Sequence, residues 1–209
     1  MSEVPIYWRG WSESQLAAYQ QDQGSTNHCA KYAAAAAYNL LYETALSGDI
    51  LVSWLNTLPL RGTFRYTIFG NRNGSLVFQT ANLVRKLGSL QDKKLEIKCR
   101  LGTVETLQSS LADGGSLTLV SVTYLQGKEP VIARGINTAS TLAASRWVGG
   151  HIMILGAYDH GHENQDGART PWGFLSSWNS KDQLYWMTDE DFKRTWGQLS
   201  IFNMVTVRM

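Results

Sequence analysis

Five consecutive alanines, Ala33 to Ala37, constrain this chain more than any other stretch. They sit inside residues 27 to about 43, where Ala33, Ala36, Ala37 and Leu40 recur at the spacing of one helix face. Alanine is the strongest helix former, so the pattern predicts a helix here. A helix with so little side chain on any face can be approached closely from all sides, which suits a central position. Ser25, Thr26 and Asn27 are candidate caps just ahead of it.

The rest of the chain can bury such a helix. Of 209 residues, 44% are hydrophobic and 17% charged, with eight Trp, nine Tyr and six Phe, which is far too aromatic for a solvated tail. Nineteen basic and 17 acidic residues are interspersed and leave a net charge of +2, so nothing marks a nucleic-acid or anionic-membrane partner. No apolar run reaches the ~18 residues of a membrane helix. Met1-Ser2-Glu3-Val4-Pro5 lacks the basic-then-apolar order of a secretory leader, so a cytoplasmic protein is expected, with leaderless secretion left open. The two cysteines, Cys29 and Cys99, are too few for a disulfide framework or, without histidines, a zinc site.

Residues 1–26 read as irregular, with Tyr7, Trp8 and Trp11 packing onto the core. Gly48-Asp49 opens a short helix with Ile50, Leu51, Trp54 and Leu55 on one side, ending near Pro59. A strand is expected over 61–68, a turn over 70–74, and a helix over 76–87 carrying Phe78, Ala81, Val84 and Leu87. Residues 94–101 alternate as a strand, and 103–112 form a helix ended by Asp113-Gly114-Gly115. The period then changes to β over 116–125, 151–158, 174–178 and 202–207, with loops over 126–149 and 159–170. The expectation is an α+β fold in one domain over 1–209, with a helical lobe over about 1–115 and a β lobe over about 116–209.

Cys29 falls at the predicted start of the alanine-rich helix, where unpaired N–H groups and the helix dipole favour an anion and hence a thiolate. On its own it would be read as a small buried residue. Gln23, six residues earlier, could donate its amide to a developing oxyanion. His151 heads a buried-looking strand behind Gly149 and Gly150, which leave backbone open to a ligand. A thiol at a helix start facing an imidazole on a strand is the pair that nucleophilic acyl transfer uses. Cys99 lies in an alternating strand and reads as inert. His28 reads as a solvent-facing loop residue, and His160 and His162, with Asp159, Glu163 and Asp166, as a solvated loop without metal-ligand spacing.

The segment Gln23-Gly24-Ser25-x-x-x-Cys29 resembles the nucleophile element of papain-like cysteine peptidases, and the Gly150-His151 strand resembles their His strand. The Gly-Gly-His form and the run Asp189-Glu190-Asp191-Phe192-x-x-x-Trp196 are more similar to the bacterial peptidases that remove double-glycine leaders. The resemblance implies a papain-like fold, with the Cys on a helical lobe and the His on an antiparallel sheet. It also implies roles: Cys29 as nucleophile, His151 as base, Gln23 with the Cys29 N–H at the oxyanion. The residue after the nucleophile is Ala30, where plant-type relatives carry Trp. Their Asn-Ser-Trp run is here Ser176-Ser177-Trp178-Asn179. The acceptor that orients the imidazole is then Ser176 by one alignment and Asn179 by the other. Asn179 is the expected one, because an amide oxygen is the better acceptor. Trp178 would shield that bond from water.

The function expected is a cysteine-dependent hydrolase, a peptidase cleaving a peptide or amide bond through a thioester. Its partner would be a peptide or protein substrate, with no nucleic acid, membrane, metal or organic cofactor implied. A thiol amidase, deamidase or transglutaminase-like acyl transferase would use the same Cys and His. A papain-like binding protein with catalysis lost is the third possibility, because the Asn-Ser-Trp run is altered. The oligomeric state has no signature.

Overall fold

The structure, a computed structural model, describes residues 4–26, 28–54, 76–137, 139–142, 148–178, 182–197 and 203–209. The described elements are β1 (Ile6–Tyr7), α1 (Glu13–Ala17), α2 (Cys29–Tyr42), α3 (Gly48–Trp54), α4 (Val77–Ser89), β2 (Glu96–Leu101), α5 (Val104–Asp113), β3 (Ser116–Leu125), β4 (Val131–Arg134), β5 (Ser140–Thr141), β6 (Val148–Tyr158), β7 (Trp172–Leu175), β8 (Tyr185–Met187), α6 (Asp189–Gly197) and β9 (Asn203–Arg208). The strand expected over 61–68, the turn over 70–74, and the end of the short helix at Leu55 to Pro59 lie outside the described residues.

The alanine-rich helix is α2, and every residue from Ala30 to Leu41 is buried. It touches α3 and α4 on the helical side and β6 on the sheet side, the close approach on several faces that its small side chains permit. Of the expected caps, Asn27 lies outside the described residues, and His28 rather than Ser25 or Thr26 occupies the cap position, without a side-chain hydrogen bond. Thr26 instead turns its hydroxyl back onto the Gln23 carbonyl at 2.7 Å. At the other end Glu43 takes the left-handed conformation, and buried Asn39 accepts from Leu46 N and the Thr44 hydroxyl and donates to Leu46 O. These bonds occupy backbone groups that a helix end would otherwise leave unpaired.

Three further expectations for the helices need correction. Residues 1–26 contain α1, whose capping box is closed by Ser12 Oγ on Gln15 N and Gln15 Oε1 on Ser12 N. One turn of helix is too short to show a period, so only the box could have signalled it. In α3 only Gly48 and Leu51 are buried, and Ile50 and Trp54 face outward. In α4 Val77 faces in and Phe78 out, while Ala81, Val84 and Leu87 are buried as expected. The α5 bounds agree with the sequence: Thr103 caps it, and Gly114 ends it at a φ of +59° that favours glycine.

The sheet runs β2-β9-β3-β6-β7-β8-β4-β5, with β1 on the far end of β6 and every pairing antiparallel. β6 lies between β3 and β7, beneath α2, and carries His151 opposite Val122. β4 and β5 occupy part of the region expected to be loop. They are four and two residues long, too short to alternate visibly. The run from Asp189 to Trp196 is α6, and it fastens structure. Asp191 accepts from Val131 N at 3.0 Å and pairs with Arg194, Asp189 accepts from the Trp172 indole at 3.0 Å, and Phe192 and Trp196 are buried.

Candidate active site

Cys29 is the first residue of α2. The loop before it is folded onto itself. Asp22 accepts from Gly24 N at 2.8 Å, with Gly24 at a φ of +56°, and the Gln23 amide donates to Thr26 O at 2.7 Å. His151 stands in β6 and is 5% exposed. Its Nε2 lies 2.9 Å from the Ser176 hydroxyl, just past the end of β7. Trp178 lies flat against the imidazole, with ring centroids 3.9 Å apart and planes 15° apart, so water is kept from one face of the ring.

The helix and the strand meet at the sulfur. Burial pushes the Cys29 thiol above its ordinary range, although the residue as a whole keeps partial exposure. The Ile152 N–H, one residue beyond His151, opposes that rise, as do Lys31 and the Ala30 N–H. Burial also pushes His151 down, to about 3. Desolvation thus outweighs the helix-start effect expected from sequence: at neutral pH the surroundings of both groups favour an uncharged thiol and an uncharged imidazole. A hydroxyl on Nε2 adds no charge that would reverse this.

Gln23 is held by Ser177 and by its own loop. Its backbone N–H donates to Ser177 O at 2.9 Å and its Oε1 accepts from the Ser177 hydroxyl at 2.6 Å. With Oε1 so engaged, Nε2 uses one N–H on Thr26 O and has a second. Of the two acceptors considered for His151, Ser176 is the one on the ring; Asn179 lies outside the described residues. Gly149 does not leave backbone open to a ligand. A Cβ there would overlap the ring of Tyr124, its cross-strand partner, whereas Gly150 is exposed and open. The Tyr124 phenol is pushed up to about 12, by burial first and then by the nearby Cys29 and Glu129.

Several residues stand elsewhere than expected, or were not singled out at all. His28 is partly buried and caps the helix, and burial and then Lys31 hold its pKa down. Lys31 is a buried lysine in the first turn of α2, where sequence alone marks only a helix interior. Cys99 is exposed on β2, at one edge of the sheet. The 159–170 loop is less solvated than its composition suggests: His162 stacks on buried Trp186, and Asn164 and Thr170 are buried. Among the described residues no group of three or more His, Cys, Asp or Glu could hold a metal ion. Ile152, Gln20 and Ser177 act here through backbone or amide contacts across the fold, for which the sequence carries no signal.

By sequence the chain matches no protein-family profile and no curated protein. By structure it is similar to a C39-like peptidase from Bacillus anthracis, with a TM-score of 0.57, 12% identity, and 99% of this chain and 98% of that one covered. It is also similar to Xylellain, a cysteine protease from Xylella fastidiosa, with a TM-score of 0.55, 13% identity, and 100% and 87% covered. The fold is therefore the α+β architecture of papain-like and C39-like peptidases, spanned over nearly the whole chain.

Proposed function

We propose that this chain is a cysteine-dependent hydrolase, one papain-like domain that cleaves a peptide or related amide bond of a peptide or protein substrate. The observation that carries the reading is the meeting of the Cys29 thiol with the Ile152 N–H, in the same strand as an imidazole that Ser176 holds and Trp178 covers. Nε2 is engaged by Ser176, so Nδ1 is the nitrogen that can face the thiol. As the sulfur attacks the carbonyl carbon, Nδ1 takes the thiol proton, and the carbonyl π electrons move onto oxygen. The Cys29 N–H and the second amide N–H of Gln23 are the donors for that oxyanion. Collapse breaks the C–N bond, and the amine leaves with the proton from the imidazolium. Water, deprotonated by His151, then hydrolyses the thioester and restores the thiol. None of these steps calls for a cofactor.

The test is acid quenching of the protein with a mixed peptide pool, followed by mass spectrometry. An acyl adduct on Cys29 that is absent from Cys29→Ala is expected. Its mass separates backbone cleavage from attack on a side-chain amide. A binding protein with its chemistry lost has one observation in its favour, the hydroxyl in place of an amide at His151, and would yield no adduct from any pool.

A further inference from the structure

Gln20 lies between α1 and the Cys29 loop and is 3% exposed. A buried amide must place both its carbonyl and its N–H groups, or it costs the fold more than an apolar residue would. Its Oε1 accepts from Ser176 N at 3.0 Å, and its Nε2 donates to Gln183 O at 2.6 Å. One partner can only donate and the other can only accept, so the amide fits one way round. The two partners stand at the two ends of the 176–183 segment, which carries Ser176 and Trp178, the hydroxyl and the ring on His151. With the Ser176 backbone held by Gln20, its side chain has only its own rotamer with which to meet Nε2. Gln23 repeats the device one residue on, at both the backbone and the hydroxyl of Ser177.

We propose that Gln20 is a positioning residue for the imidazole: it sets His151 through Ser176 and couples the nucleophile's own loop to the base. The inference rests on the hydrolase reading above. A brace that merely stabilised the fold would leave the pairing of thiol and imidazole unchanged once the protein had folded.

The experiment uses the full chain with Cys99→Ser, so that Cys29 is the sole thiol, and measures its alkylation by iodoacetamide against pH. His151→Ala comes first. If the Cys29 rate does not depend on His151, the hydrolase reading fails and the Gln20 proposal falls with it. Given a His151-dependent rate, Gln20→Met should slow alkylation by about tenfold, no further than Ser176→Ala does. In a Ser176→Ala background the same change should cost no more than about twofold, because the two residues act through one contact. An unchanged rate in Gln20→Met, or a full additional loss on top of Ser176→Ala, overturns the proposal. Gln20→Glu decides the matter if Gln20→Met does not fold. A protonated carboxyl keeps both hydrogen bonds, whereas an ionised one sets an oxygen against Gln183 O. Its rate relative to the parent should therefore fall as pH rises, and a ratio flat across pH overturns the proposal.

Discussion

Two imidazoles of this chain lie flat on tryptophans: His151 on Trp178 at 3.9 Å between ring centroids, and His162 on Trp186 at 3.8 Å. Each also has one nitrogen on a hydroxyl, Ser176 at 2.9 Å in the first case and Thr170 at 2.8 Å in the second. Burial holds both below the usual histidine range. The difference lies at the other nitrogen and in the surroundings. His151 uses Nε2 for its hydroxyl and sits one residue from the N–H that meets the Cys29 thiol. His162 uses Nδ1, leaves a buried Nε2 without a partner, and has Glu13 and Asp159 as its charged neighbours. A stacked, hydroxyl-bound imidazole is thus a packing solution that the fold uses twice. Chemistry is expected only at the ring whose strand meets a thiol.

The largest contrast should be kinetic. His151→Ala is expected to lower hydrolysis of a substrate identified by its Cys29 adduct by about a thousandfold or more, while His162→Ala stays within about twofold of the parent in kcat/KM. Equal losses would erase the distinction. Next come the ring partners. Trp186 is fully buried, so Trp186→Ala should cost about 3–5 kcal/mol in urea unfolding. Trp178 is only partly buried, and Trp178→Ala should take less from stability and more from turnover.

Acid should separate the two histidines by a smaller margin. The unfolded chain gains a proton on residue 151 below about 6.5, whereas the folded chain refuses it down to about 3. The stability from keeping the ring neutral is therefore full above 6.5 and lost as pH falls toward 3. Urea melts of His151→Gln between about pH 4 and 6 should show a slope shallower by about one proton. His162→Gln should flatten it less, because Glu13 and Asp159 pull its pKa back up. Smallest is the hydroxyl pair. Ser176→Ala should slow turnover about tenfold, whereas Thr170→Ala should cost about 1 kcal/mol of stability with no change in rate.

Much of the frame was legible because it is written locally. The period of Ala33, Ala36, Ala37 and Leu40 marks α2, Thr103 and Gly114 bracket α5, and the β-prone runs at 116–125 and 151–158 are β3 and β6. The elements that were missed or misplaced are short or turn on a single step of phase. α1 has five residues, β5 has two, and α4 differs from expectation only in which of Val77 and Phe78 faces in. For the site, the sequence pointed to Cys29, His151 and Gln23 by residue type and order. It could not show that Tyr124 fills the space over Gly149, nor that His162 would be built like His151.

The sequence by itself determined that a thiol would begin a buried alanine-rich helix and that an imidazole would lie on a β-strand, since helix starts and strand periods are encoded within a few neighbouring residues. That strand starts at Val148 rather than at His151. Only the tertiary structure decided what those two groups experience. Ser176 reaches His151 from 25 residues away, and Gln20 reaches Ser176 from 156. Whether the pair rests charged or neutral depends on burial beneath Trp178 and on the Ile152 N–H. Desolvation and long-range hydrogen bonds depend on which surfaces meet in space, and that is a property of the folded chain rather than of any one stretch of it.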